Sequence, residues 1–261
     1  MLHQGQFLHV PPDLTTPLLL LLAGVLTGIV GYGAGLASVV SFPSLLATGL
    51  APLTANVTNT VALVGSTAGG VASARRELAL MRRRLLKFCS TSLIGGVVGA
   101  ALLLAAPPGV FERVVPWLTL LGSVVLLLSP WLRRLHAGRI TEHHPGVTLA
   151  VGLVAVYSGY FGAAAGVLVL AVLSAVMDDG LARLAALRSA IVGSANLVAA
   201  LVFVATGSVA WRYAIPLGIG AVLGAALGPP IMRRLPETPT RVVIAVGGIV
   251  LAAKLYLDYS V

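Results

Sequence analysis

The sequence predicts an all-α, polytopic membrane protein made of two four-segment repeats, and three observations carry that prediction. Hydrophobic residues make up 58% of the 261 residues and charged residues 10%, against roughly 45–50% and 25% in soluble domains. The apolar runs reach the roughly 20 residues that cross a hydrocarbon core, and they are continuous, which sets aside the short alternating strands of a β-barrel. Finally, the chain repeats itself. Gly28, Gly31 and Gly35 in GIVGYGAG return as Gly159, Gly162 and Gly166 in GYFGAAAG, 131 residues later. Asn59 then matches Asn196, Gly70 matches Gly207, the run Gly99-Ala-Ala-Leu returns at Gly224, and Arg113-Val-Val returns at Arg241. A duplicated apolar unit whose first segment is broken by glycine is how many secondary transporters build a mid-membrane site.

Taken in order, residues 1–17 form a short N-terminal arm, 18–132 a first membrane repeat, 133–146 a linker loop and 147–261 a second membrane repeat. The arm contains no Lys or Arg, so it lacks the basic start of a signal peptide. Eight apolar blocks follow, at 15–47, 52–73, 86–106, 112–132, 147–176, 184–206, 212–229 and 240–257. The linker RRLHAGRITEHHP reads as a loop from its Pro, Gly and mixed charges. The first and fifth blocks are each about 30 residues long with several internal glycines. That length fits a helix, a break and a half-helix, either as a re-entrant hairpin or as a tilted, unwound span.

Charge separates these options. If all eight blocks cross, 11 of the 17 Lys and Arg residues fall on one side and 6 on the other. If blocks one and five enter and leave on the same face, only Arg113, Arg212 and Lys254 lie outside, a split of 14 to 3. The positive-inside effect favours the second arrangement. Each half then crosses three times, so the repeats are inverted and the N-terminus lies outside. The net charge of +9 is thereby assigned to membrane loops, and nucleic acid is excluded as a partner. Arg82–Arg83–Arg84 reads as a topology signal in contact with lipid headgroups. Arg188, at the start of block six, reads as an interfacial arginine snorkelling toward headgroups, with attraction of an anion from the cytoplasm as the alternative.

Every carboxylate (Asp13, Glu77, Glu112, Glu142, Asp178, Asp179, Glu237 and Asp258) and every histidine falls in a loop or at a segment end, and no block carries an ionisable group near its middle. Membrane proton relays need such groups, and metal-selective sites need Asp, His or thiolate ligands, so neither mechanism has a carrier. A metal site at Glu142-His143-His144 is set aside, because adjacent histidines in a linker are usually solvated. The single Cys89 excludes a disulfide framework and a thiol relay; it reads as a small packed residue. An enzyme is not expected, since no block offers a nucleophile–base pair or a metal triad.

What remains at membrane depth is neutral: Tyr32, Ser38, Ser41, Thr58, Asn59 and Thr60 in the first half, then Tyr160, Ser189, Ser194 and Asn196. The paired asparagines would meet about a pseudo-twofold axis, where an amide can donate to an anion without adding negative charge; the alternative is that each glues helices together. The glycine breaks have a stronger logic. A helix restarting inside the bilayer presents unpaired N–H groups and a partial positive charge, which bind anions. The N–H groups near Gly33–Leu36 and Ala164–Val167 are the candidates, with close helix packing as the plainer reading of the glycines.

With those residues in view, the chain resembles the TauE/SafE sulfite exporter family, also called the sulfonate uptake permeases, over residues 18–257. The resemblance rests on LTGIVGYGAGLASVVSFPSLLATGL, ANVTNTVALVGSTAGG and GGVVGAALL in the first half. In the second it rests on YSGYFGAAAGVLVLAVL, SAIVGSANLVAALVF, GSVAWRYAIPLGIGAVLGAALG and RRLPETPTRVVIAVGGIVL. It implies a four-plus-four duplicated permease of the bacterial inner membrane that moves sulfite, sulfonates or related anions. It also implies that residues 28–35, 56–60, 159–166 and 194–196 face the substrate path. The chain departs from the family at 163–165, where three alanines stand in place of the usual glycines.

The expected substrate-binding set is therefore Gly31, Tyr32, Gly33, Gly35, Thr58, Asn59, Gly162, Ala164, Gly166, Ser194 and Asn196. Expected partners are a small anionic substrate and membrane lipid, with homo-oligomerisation open and no cofactor or metal. A membrane potential drives a monovalent anion outward by about 2.3 kcal/mol per 100 mV, so export or facilitated diffusion needs no coupling carboxylate. The competing readings are a cation, metal or other organic-anion transporter and a non-transporting membrane assembly protein.

Overall fold

The computed structural model describes residues 15–35, 37–134, 142, 144–207, 209–232 and 237–259. Most of the N-terminal arm and of the linker, together with Leu36, Arg233 and Arg234, lies outside the described residues, as do the side chains of Tyr32, Gly33 and Ala34. The described chain is helical throughout, as α1 (Thr15–Ala34), α2 (Ala37–Leu46), α3 (Pro52–Ser73), α4 (Arg75–Ala79), α5 (Arg82–Ala105), α6 (Val110–Arg134), α7 (Pro145–Tyr160), α8 (Ala165–Val176), α9 (Leu181–Ala205), α10 (Trp211–Met232) and α11 (Glu237–Tyr259).

Local chemistry sets many of these limits. Pro52 and Pro145 occupy the first helical turn, where a missing N–H costs nothing, and His144 Nδ1 accepts the Gly146 N–H at 3.1 Å to cap α7. Gly109 and Gly207 adopt positive φ where helices begin or end, a role suited to a residue without Cβ. The eight apolar blocks reappear with small shifts, and the overlong first and fifth are divided in two, as α1–α2 and α7–α8. The ten residues of α2 and twelve of α8 span only about 15 and 18 Å at 1.5 Å per residue. Each is too short to cross a hydrocarbon core of about 30 Å.

Among the described residues, four helices are long and apolar enough to cross a membrane by length and composition, within Arg82–Ala105, Val110–Trp131, Ala182–Ala205 and Val242–Tyr259. Leu18, Leu22, Leu26, Ile94, Leu201, Val243 and Val250 are exposed on the outside of the bundle. An apolar belt of that kind belongs in lipid rather than in water.

The halves exchange partners. α1 packs most extensively on α10, and its repeat counterpart α7 packs on α5, the counterpart of α10. α3 lies on α10 and α9 on α5 in the same reciprocal way, while α3 with α9 and α6 with α11 join equivalents directly. Glycines make the exchange possible. A Cβ on Gly28 would strike the backbone of Ala221 and Gly224, and one on Gly159 would strike the backbone of Gly96. Backbone-to-backbone approach of this sort is how membrane helices gain dispersion energy without a hydrophobic driving force.

Candidate functional site

The two breaks differ in build and meet in space. In the first, α1 ends at Ala34, Gly35 turns the chain with φ of +72°, and α2 begins at Ala37; the Gly35 N–H still donates to the Gly31 carbonyl at 2.9 Å. In the second, α7 ends at Tyr160 and α8 restarts at Ala165 after positive φ at Gly162 (+78°) and Ala164 (+59°). The breaks touch: a Cβ on Gly166 would lie 2.8 Å from the Gly35 carbonyl oxygen. Only glycine permits that approach.

Hydrogen bonds fasten the second break. The Phe161 and Gly162 N–H groups both donate to the Tyr157 carbonyl, at 2.9 and 3.0 Å. The Tyr157 hydroxyl donates to the Ala163 carbonyl at 2.6 Å, and Asn56 Nδ2 donates to the Tyr160 carbonyl at 2.9 Å. These bonds answer the carbonyls that an interrupted helix orphans inside the bilayer. Around them, Phe161 stacks edge-on against Phe42 with ring centroids 5.2 Å apart.

A cavity of about 90 Å³ opens where the breaks meet, lined by Gly31, Gly35, Gly162 and Gly166, by the polar side chains of Ser38, Ser66, Thr67, Ser189 and Asn196, and by Arg188. A water needs roughly 10–15 Å³ on this measure, so the space suits a few waters or one small oxyanion and is far below the 300 Å³ of a drug-sized pocket. Arg188 corrects the expectation of a snorkelling arginine. It lies eight residues into α9, is 4% exposed, and places its guanidinium against Gly35, where an added Cβ would be 2.9 Å from Nη1. An arginine keeps its charge even when buried, so the junction of the breaks carries a permanent positive charge. The signal was present in LAALRSAIVGSAN: a guanidinium inside an apolar run marks a functional position by default. Placing block six at 184 made that residue look terminal, whereas α9 begins at Leu181.

The structure distributes the expected site residues unevenly. Gly31, Gly35, Gly162, Gly166 and Asn196 line the cavity, and Asn196 Oδ1 accepts a hydrogen bond from Ser158 at 3.0 Å. Asn59 is buried between α2 and α3 as the acceptor of the Ser41 hydroxyl. Thr58 Oγ1 accepts the Ala210 N–H at 3.1 Å, tying α3 to the residues ahead of α10. Ser194 donates back to the Ala190 carbonyl of its own helix, and Ala164 is the buried left-handed residue that precedes α8. Tyr32 and Gly33 fall in the last turn of α1, with their side-chain positions outside the described residues.

A second feature defines how the fifth block sits. Arg84 Nε pairs with Glu142 at 2.7 Å, and Arg84 Nη1 pairs with Asp179. Glu142 lies just before α7 and Asp179 just after α8, so both ends of the α7–α8 unit meet at one guanidinium. The unit therefore enters and leaves at the same end of the bundle.

Known proteins resemble this chain along most of its length. A family profile described as "Sulfite exporter TauE/SafE" matches residues 17–255. The chain is 27% identical over 249 residues to "Probable membrane transporter protein YfcA" of Escherichia coli (strain K12), covering 94% of this chain and 92% of that protein. It is 22% identical over 240 residues to a "Probable membrane transporter protein" of Haemophilus influenzae, covering 92% and 94%. A "Probable membrane transporter protein ORF9" of Sinorhizobium sp is 26% identical over 241 residues, with 92% of each covered. No solved structure matches significantly.

Proposed function

The chain belongs to the TauE/SafE sulfite exporter family and is a multi-pass membrane transporter, and from that premise we propose that it moves small sulfur-containing anions, sulfite or a small sulfonate, through the cavity between its two breaks. The observation that carries the reading is Arg188, buried beside Gly35 where α2 and α8 restart. A guanidinium presents paired donors to oxyanions, and two half-helix N-termini add partial positive charge. The small volume favours a compact headgroup. The re-entrant course of α7–α8, extended by repeat to α1–α2, supports a reading in which the halves are inverted and the basic connections face the cytoplasm of a bacterial inner membrane. In that setting the membrane potential favours outward flow of the anion.

Proteoliposomes loaded with sulfite test the reading. The native protein is expected to release sulfite, and Arg188→Gln to slow release about tenfold or more, since a hydrogen bond to a charged group is worth roughly 1.5–3 kcal/mol. Arg188→Lys, which keeps charge but loses the fork, should fall between them. Release at the native rate by a correctly folded Arg188→Gln protein would overturn the assignment.

A further inference from the structure

At the mouth of the α7–α8 unit lies a larger cavity, about 590 Å³, whose lining includes Arg82, Arg83, Arg84, Lys87 and Arg183 with two carboxylates, Glu142 and Asp179. We infer that this cavity is a second oxyanion-binding site, separate from the one at the breaks, that takes a tetrahedral phosphate- or sulfonate-type group. The charge balance points that way. Five cations face two anions, and both anions are already engaged: Arg84 holds Glu142 and Asp179, while Arg183 reaches Asp179 at 3.3 Å. The carboxylates thus hold Arg84 and Arg183 in place, and Arg82, Arg83 and Lys87 extend the positive lining beyond that pair.

Size separates the two sites. The smaller cavity admits one compact anion, whereas about 590 Å³ accommodates an anion with its hydration shell or an attached glycerol. Arg183 and Arg188 share α9 and are five residues apart, or about 7.5 Å of helix rise. The two arginines are thus about 1.4 turns apart along α9 and roughly 140° apart around its axis, and the mouth is a concave basic surface of the kind that concentrates counter-ions. The same chemistry can come from a free oxyanion or from the headgroup of an anionic lipid, since basic pockets at the cytoplasmic ends of membrane helices take both.

Calorimetric titration of the full-length protein in neutral detergent, with inorganic sulfate in one arm and short-chain phosphatidylglycerol in the other, distinguishes the sources. Each arm is run on native protein, on Arg188→Gln and on the double variant Arg82→Gln/Lys87→Gln. The double variant leaves the Arg84 ion pairs intact; Arg183→Gln is the second variant should it fold poorly. The double variant is expected to bind its probe roughly thirtyfold more weakly, about fivefold for each cation removed, and Arg188→Gln to retain this binding. Sulfate alone binding identifies a free-anion antechamber, and lipid alone identifies a headgroup site. Native and double-variant proteins binding both probes equally, or neither binding at all, overturns the inference. If Arg188→Gln transports normally while this binding persists, the permease assignment at the breaks fails and the second site stands.

Discussion

The two breaks occupy aligned stretches of the repeats yet are not copies. Gly31 and Gly162 correspond in sequence, but Gly31 lies within α1 while Gly162 is already in the interruption after α7. The first break turns at Gly35, whose described neighbours are the Arg188 guanidinium and Gly166. The second is a four-residue loop tied by Tyr157 and by Asn56 from α3. The comparison teaches that duplication fixes where a helix stops only to within a turn, and that local donors settle the rest. Hydrogen bonds from Tyr157 and Asn56 brace the second interruption, and the first touches it where Gly35 meets Gly166.

The sharpest way to break the comparison is at Gly35. Gly35→Ala forces an L-residue into a left-handed turn, at about 1–2 kcal/mol, and sets its Cβ 2.9 Å from Arg188 Nη1. We expect sulfite release to fall about tenfold, equivalent to about 1.4 kcal/mol of misplaced charge, with a modestly lower melting temperature. Next in size, Asn56→Ala leaves the part-buried Tyr160 carbonyl without this donor, at about 1–3 kcal/mol. Thermal unfolding in detergent should report that loss directly, and an unchanged melting temperature would show the second break does not depend on α3. The smallest expected effect is at Ala164, the left-handed alanine. Ala164→Gly removes the steric penalty and adds unfolded-state entropy, for a net gain of less than about 1 kcal/mol, with transport preserved. A clear loss of stability would mean the buried Ala164 methyl, packed near Val125, Leu126 and Ala245, matters more than its backbone.

Much of this architecture was legible in the chain. Glycine spacing located both interruptions, and block length pointed to half-helices, because about 30 residues exceed the roughly 20 of a single crossing. The three alanines at 163–165 do not prevent a break, since Gly162 supplies one positive φ and Ala164 tolerates the other. Three features were harder to read. Matching positions suggested that Asn59 and Asn196 share a role, but their partners differ, with Ser41 on α2 for one and Ser158 on α7 for the other. Those serines are not repeat equivalents, so one sequence correspondence produced two environments. The place of Arg188 inside an apolar run is legible, but its burial depends on where α9 docks, which hydropathy alone does not encode. Arg84, read as a topology signal, additionally clasps the two ends of the α7–α8 unit, a pairing that spans 95 positions and leaves no local trace.

The reciprocal embrace of α1 by α10 and of α7 by α5 carries a consequence for biogenesis. When α1 leaves the ribosome, the helix that fills its glycine grooves has not been translated, and about 190 further residues must be made before Gly224 reaches Gly28. The first half must therefore wait in lipid, incompletely assembled, until the second threads between its members. Neither half is a finished domain by itself, so two separately expressed halves would have to find each other before either acquires its native shape.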